Sequence, residues 1–490
     1  MINLDNYHYI FYDLETTGQN PCFDQVVRFS AIETNSNLDI INTHNINIKL
    51  RNDILPHPKA LLVNKLSIND LEEGLNEYEA FKEIHKIMNK PNTINLGYNS
   101  LNFDDVFLRF GFYRNLLAPY SHQYSNHAGD NFRADVYNII FMYYLYKQED
   151  SITWPMINNR LSLQLEQINA INHLYEGRSH DAEVDVHVTI ELAKKLKSVD
   201  SRMWHYLISS FTKNYDKQNF NKLPSITCID NQQYPIAIFV SSKMRLKSNY
   251  CAPVIYLGHH QQMKDNILLL RLDNHEFENY NEHNFVEKID KGIVKKKFGE
   301  PHFLIPFSDQ YSRILNPHIV ALAKANLLWI KHHPSAIEAL SAINTSKEYS
   351  DIENLDIDAS LYQEKWFSDE ENKQMESFHN HDTLNKNNYI TDLPNGRIKD
   401  LAIRIMGRNY FNELSSDFKE DYNSYLYSIF YNEPSQMDFR GGLRSNPLDL
   451  LQETKELLNK SNLDDLDLNI LESLKDRISS KIQKQQDLGF

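Results

Sequence analysis

Cysteine is scarce in this 490-residue chain, with Cys22, Cys228 and Cys251 forming no CxxC pair. That excludes a disulfide framework and a cysteine-rich zinc site. Long apolar runs are missing as well. Stretches such as Ile267 to Leu270 fall far short of the ~20 residues that a membrane span needs. No signal peptide is legible, because Asp5 follows Met1-Ile-Asn-Leu and His8 interrupts the next apolar run. A cytoplasmic protein with no membrane association is expected. Internal repeats and low-complexity linkers are absent from the sequence. Net positive charge is lacking too: 51 Lys and Arg face 66 Asp and Glu, which at first argues against a polyanionic partner.

The charge is unevenly spread, however, and its distribution matters more than its sum. Residues 1–200 carry 17 Lys and Arg against 26 Asp and Glu, and residues 351–490 carry 16 against 27. Residues 201–350 carry 18 against 13, the one positive segment. An acidic chain can still hold a basic groove. At 57.6 kDa two or three domains are expected, and 41% hydrophobic residues suffice to build their cores.

The first 200 residues alternate between strand and helix patterns. Tyr9–Tyr12, Gln25–Ile32, Asn45–Leu50 and Thr93–Gly97 read as strands. Apolar residues recur at helical spacing from Tyr78 to Met88, from Asp104 onward, and from Asp185 to Leu196. A mixed sheet packed between helices fits this order. From about 201 the strands shorten: Ile236–Val240, Pro253–Leu257, Asn266–Leu272 and Phe303–Phe307 suit a small β-barrel. After Asp351 the pattern is helical, in Asp369–His379, Leu401–Tyr410 and Leu448–Leu458. The expected class is α/β, then β-barrel, then α.

Asp13-Leu-Glu15 ends the first strand. Residues i and i+2 of a strand share a face, so the two carboxylates project together, at a cost unless a cation neutralises them. By itself a D-x-E pair is common and reads as a solvated strand end. Asp104 opens a helix just after a strand and could be only its cap. His180 and Asp185 sit on a loop and in the opening turn of a helix, where a cap and a solvated imidazole are the plain reading. Taken jointly, four carboxylates on separate elements can hold two hard divalent cations roughly 3.5–4 Å apart, as phosphodiester hydrolysis requires. Oxygen donors suit Mg²⁺ or Mn²⁺. A histidine on a loop can accept the proton of the attacking water.

Asp13-x-Glu15, Asn99-x-x-x-Phe-Asp104 and His180-x-x-x-x-Asp185 resemble the three motifs of the DEDDh exonucleases, the superfamily of proofreading 3′→5′ exonucleases. Further stretches resemble its bacterial multidomain branch: Leu96-Gly-Tyr-Asn99, Phe112-Tyr-Arg-Asn115 with Pro119-Tyr120, Trp154-Pro155, and Ser179-His-Asp-Ala182. Ala323-Lys-Ala-Asn-Leu327, Leu361-Tyr362 and Phe367-Ser-Asp369 carry the likeness across the whole chain. The resemblance implies that Asp13, Glu15, Asp104 and Asp185 are metal ligands and His180 the general base. Glu15 and the backbone beside it would also touch the terminal nucleotide. It implies an RNase H-like exonuclease domain at 1–200, an SH3-like barrel at 201–352 and a C-terminal helical domain at 353–490, together forming a C-shaped groove. One departure is Gln164, where the family usually has a basic residue; an amide can still donate to a phosphate but brings no charge.

A single-strand nuclease needs cations for phosphates and rings for bases. Arg109, Tyr120 and Tyr124 interleave the two, although Phe107, Phe110 and Tyr113 read equally as the core face of an amphipathic helix. Lys243–Lys247 and Lys295–Lys297 are charge clusters that could contact DNA or simply be solvated. His259-His260 and His332-His333 are adjacent pairs whose side chains diverge, and Tyr422, Tyr425, Tyr427 and Tyr431 read as helix packing. The resemblance also implies a monomer and a protein partner, the acidic C-terminal tail of single-strand-binding protein; Tyr206 and Lys324 are candidates for that pocket. The expected activity is processive, Mg²⁺-dependent release of 5′-mononucleotides from the 3′ end of single-stranded DNA, in DNA repair and recombination. The alternatives are a 3′→5′ exoribonuclease, which would leave 201–490 without a role, and a non-catalytic DNA-end-binding protein, which would have lost an acid.

Overall fold

In the computed structural model the chain is described over residues 2–487, apart from 124–130, 245–248, 281, 290–291, 347–350, 354, 364, 432–435 and 461. Two compact units share it. One comprises residues 7–131, 175–189 and 351–490, the other 1–6, 132–174 and 190–350.

The first of these units is built around β1 (His8–Thr16), whose residues Tyr9, Ile10 and Phe11 are fully buried. A strand covered on both faces reads as a continuous apolar run. β1 pairs antiparallel with β2 (Val26–Thr34), which pairs with β3 (Ile40–Asn47), and parallel with β4 (Thr93–Gly97). The order within this unit is β3-β2-β1-β4. The third strand begins and ends earlier than its sequence pattern suggests. Ile46, Ile48 and Leu50 are all buried, so the alternation continues, but the backbone has left the sheet: Lys49 and Leu50 donate to the carbonyls of Leu75 and Leu71 at 2.8 Å. At its other end Ile40 and Ile41 lie exposed on the sheet edge and leave no apolar signal.

The helices α1 (Pro58–Asn64), α2 (Glu77–Met88) and α3 (Asp104–Arg114) belong to this unit, and Ala80, Phe81 and Ile84 of α2 and Phe107 and Leu108 of α3 pack with Ile10, Tyr12 and Phe29 of the sheet. Asn76 caps α2 by accepting the Glu79 N–H at 3.0 Å. The described segment after 351 is mainly helical, with Asp369–Asn380, Arg397–Asn409, Ser416–Tyr431, Pro447–Leu458 and Asp465–Asp487 among its helices and one antiparallel bridge between Met437 and Leu443. One core joins it to the sheet region: Leu50, Ile54, Phe110 and Tyr113 pack with Ala359, Leu401, Ile405, Tyr422 and Ile478.

In the other unit six antiparallel strands form a sheet. Ile293–Lys297, Asn266–Arg271, Cys251–His259, Gln233–Val240 and Phe303–Pro306 follow in spatial order, with Ser225–Thr227 against Gln233–Val240. Four of these match the expected strands. Ile293–Lys297 hides behind its lysines, yet Lys296 is 1% exposed and pairs with Asp216. No helix among the described residues is long and apolar enough to cross a membrane.

Candidate active site

β1 ends in Asp13, half-buried, and Glu15, 8% exposed. The pleat sends both to one face. A register shift between Glu15 and Thr16 ends regular pairing immediately afterwards. The following turn is tightly held. Asp24 accepts from the Thr17 hydroxyl at 3.1 Å and the Asn20 N–H at 2.8 Å. A Cβ on Gly18 would sit 2.4 Å from the Asp24 carboxylate, so only glycine fits there.

Asp104 opens α3, but its carboxylate does not cap the helix. Its Oδ1 accepts the backbone N–H of Leu14 at 3.1 Å, a bond across 90 residues that fixes the start of α3 against the middle of the Asp13-Leu14-Glu15 triplet. Asp185 lies in the first turn of the helix Ala182–Val199, where its N–H donates to the Asp181 carbonyl at 2.9 Å. His180 precedes that helix, exposed, on a turn with φ of +59°.

The electrostatics bring these acids together. Burial raises the Asp13 carboxyl well above the usual carboxylate range, and the charges of Asp104, Glu15, Asp185 and Asp181 push it further. Glu15 is pushed up to about 8, first by burial and then by Asp185, with Arg28 opposing and Asp104 and Asp181 adding. These carboxylates cannot all be ionised without a compensating cation. The donor set is all hard oxygen, the chemistry that Mg²⁺ and Mn²⁺ select. Among the described residues, no group of three or more His, Cys, Asp or Glu is gathered closely enough to hold an ion. The fit is therefore one of donor chemistry and charge.

Two members of the cluster escaped sequence reading. Arg28 stands opposite Glu15 on β2 and reaches Asp181 at 3.8 Å. Only the β1–β2 register reveals the first relation. Asp181 is a fifth acid, disguised by its role at the start of a helix, where it accepts the Glu183 N–H at 3.2 Å.

The expected substrate contacts are more scattered. Arg109 lies on α3, bonded to Asp105 at 3.1 Å, with its guanidinium 5.5 Å from the Tyr362 ring. Tyr120 is half-buried, 4.8 Å from Trp366. Tyr124 lies outside the described residues, as do three members of the Lys243–Lys247 cluster. Gln164 is exposed before the helix Leu165–Asn172, in the unit that does not contain the acids. Lys296 is held by Asp216 and Lys297 lies 2.6 Å from Glu300, which ties two of the three lysines of that cluster to acids. Of the pocket candidates, Tyr206 is half-buried 6.0 Å from Tyr215, and Lys324 is exposed, 3.3 Å from Asp309.

Comparison with known proteins matches the same regions. An exonuclease family model fits residues 10–193, and a model of the exonuclease I C-terminal domain fits residues 355–480. Exodeoxyribonuclease I of Buchnera aphidicola from Schizaphis graminum is 27% identical over 85% of this chain and 86% of its own. The Escherichia coli K12 exodeoxyribonuclease I is 30% identical over 54% of each chain. The crystal structure of E. coli exonuclease I in complex with a dA16 oligonucleotide superposes with a TM-score of 0.82 at 22% identity, covering 97% of this chain and all of that one. The fold is accordingly an RNase H-like exonuclease domain with a C-terminal helical domain. With the acid motifs inside one matched region and the helical segment filling the other, the chain belongs to the exonuclease I family of the DEDD exonuclease superfamily.

Proposed function

We propose that this protein is a DNA exonuclease that degrades single-stranded DNA processively from its 3′ end, releasing 5′-mononucleotides by metal-dependent hydrolysis. The observation that carries the reading is the docking of Asp104 on the Asp13-Leu14-Glu15 strand end through the Leu14 N–H, where burial first and then the charges of Asp104 and Asp185 push the carboxyls of Asp13 and Glu15 up. A purely structural strand end has no need to gather like charges that repel one another. Asp13, Glu15, Asp104 and Asp185 would hold two Mg²⁺ ions, with Mn²⁺ as a substitute. When bound, such ions supply the positive charge that favours hydroxide over water and neutralises a leaving 3′-oxygen.

The chain's own groups do the rest. His180, on its exposed turn, accepts the proton of the attacking water at an imidazole nitrogen. Arg28 offsets part of the acid charge beside Glu15 and holds Asp181 at the loop's end. Gln164 donates to a phosphate, and Arg109, Tyr120 and Tyr124 grip the strand. The wider reading is a cytoplasmic monomer serving DNA repair and recombination, divided into an exonuclease domain (1–200), a barrel (201–352) and a helical domain (353–490). Its protein partner is the tail of single-strand-binding protein.

End-labelled single-stranded DNA, duplex DNA and RNA, each with and without Mg²⁺, test this together. Mononucleotides should appear from the 3′ end of single-stranded DNA only, and only with the metal. Asp185→Asn should abolish release while binding of the strand in EDTA persists. Equal activity on RNA, or release by the variant, would overturn the reading.

A further inference from the structure

Residues 175–181, which carry His180 to the start of the helix Ala182–Val199, form no regular element, and none of them is buried. Core packing therefore does not hold the imidazole in place, and a loop of this kind is mobile unless polar or stacking contacts restrain it. Tyr175 supplies one restraint by stacking on the His187 ring at 4.4 Å, at the far end of the loop from His180.

Closer to His180 two arginines take over, one on each side. Before it in the chain, the Arg178 guanidinium donates to the Asn64 carbonyl at 3.3 Å. Asn64 is the last residue of α1, where a carbonyl has no partner within the helix. Its buried side chain donates in turn to the Thr16 carbonyl at 3.0 Å. The same end of α1 is braced by Lys65, which pairs with Asp467. After His180, Asp181 lies 3.8 Å from Arg28, the residue opposite Glu15 in the β1–β2 register. Both ties thus leave the loop beside His180 and arrive at Glu15 and Thr16, the end of the acid strand.

We propose that Arg178 is a positioning residue for His180, holding its loop against the acids of β1 through the Asn64 carbonyl. The role rests on the exonuclease reading above. With the Arg28–Asp181 pair alone, the loop would pivot about Asp181; a second tie on the other side of His180 fixes its orientation. A single exposed hydrogen bond adds little to the stability of the whole fold. It matters here because a proton acceptor displaced by about 1 Å costs up to about 10²-fold in rate.

Steady-state nucleotide release from single-stranded DNA in Mg²⁺, measured beside strand binding in EDTA, is the test. Arg178→Ala should lower kcat by about 5- to 100-fold. KM, the Kd in EDTA and the thermal midpoint should stay as they are. Arg178→Lys keeps a donor without the planar fork and should recover part of the loss. Because Arg178 acts through His180, Arg178→Ala should cost nothing further in a His180→Ala background. An unaltered kcat in Arg178→Ala, weaker strand binding in EDTA, or losses that multiply in the double variant overturns the positioning role alone, provided the wild type releases nucleotides. A wild type that releases none overturns the exonuclease reading and the role with it.

Discussion

At Glu15 burial and the neighbouring Asp185 outweigh the attraction of Arg28, which is why its carboxyl is pushed up to about 8. The fold holds this charge for function at the expense of stability. Glu15→Gln should abolish nucleotide release, yet raise the thermal midpoint of the protein in EDTA at pH 9 by about 2–5 °C. His180 makes the opposite kind of contribution, because it sits exposed on a turn and no core depends on it. His180→Ala should lower turnover by ~10²–10⁴ with an unchanged thermal midpoint. His85 gives a pH signature. Burial, helped by His122, lowers its pKa to about 4 against an ordinary 6.5. Between those values the unfolded chain takes the proton more readily, so stability present above pH 6.5 is lost as pH falls toward 4. Denaturant melts should show a fall of about 3 kcal/mol over that window, flattened in His85→Gln. Of these residues, the motif acids and His180 were legible because their spacing is local; Arg28 was not, since its place depends on strand register.

Among the elements, β1, β4, α2 and α3 follow their sequence patterns closely, because each has an apolar run or face that only one period fits. β3 and Ile293–Lys297 do not. The first is an edge strand with exposed isoleucines, and the second buries a lysine against an acid, so neither shows the pattern its burial would predict. The loop before the helix Ala182–Val199 is similarly opaque until its contacts are seen. Gly177 adopts a φ of +154°, and a Cβ there would lie 2.6 Å from a Val184 methyl. Gly177→Ala should therefore cost about 1–3 kcal/mol and displace the turn that carries His180, lowering turnover. Adding Val184→Ala removes the clash and leaves the backbone strain, so the double variant should recover part of the stability. Recovery to wild-type melting would show that φ carries no strain, and no recovery that the side chain is not the obstacle.

Across the whole molecule, a chain of buried charges joins segments hundreds of residues apart within one unit. Glu77 receives Arg51 at 2.8 Å and lies 3.4 Å from Arg114, whose guanidinium also donates to the carbonyls of Pro21, Cys22 and Asp24. Arg51 bonds Asp53 at 2.8 Å, Asp53 bonds Arg408 at 2.9 Å, and Asp358 then links Arg408 to Arg404, which holds Asp356 at 2.7 Å. Four arginines and four acids leave no net charge. Those arginines hold the carboxyls of Asp53 and Asp358 well below the usual range, against the opposing effect of burial. No sequence pattern announces such an array, because each member is an ordinary isolated charge in its own segment. Its consequence is that the acidic strand end and the helices after residue 351 should fold as one. Arg408→Met would leave the buried Asp53 and Asp358 with less compensation, at about 3–5 kcal/mol. Chemical denaturation should show that loss in the transition that also abolishes strand cleavage. A fragment ending at residue 350 should fare worse, lacking both Arg408 and the core partners of Phe110 and Tyr113, and should show no cooperative unfolding of the sheet β3-β2-β1-β4 by hydrogen exchange. Native-like protection of β1 in that fragment would show that the exonuclease sheet stands without the helices, and that the buried charges follow the fold instead of joining it.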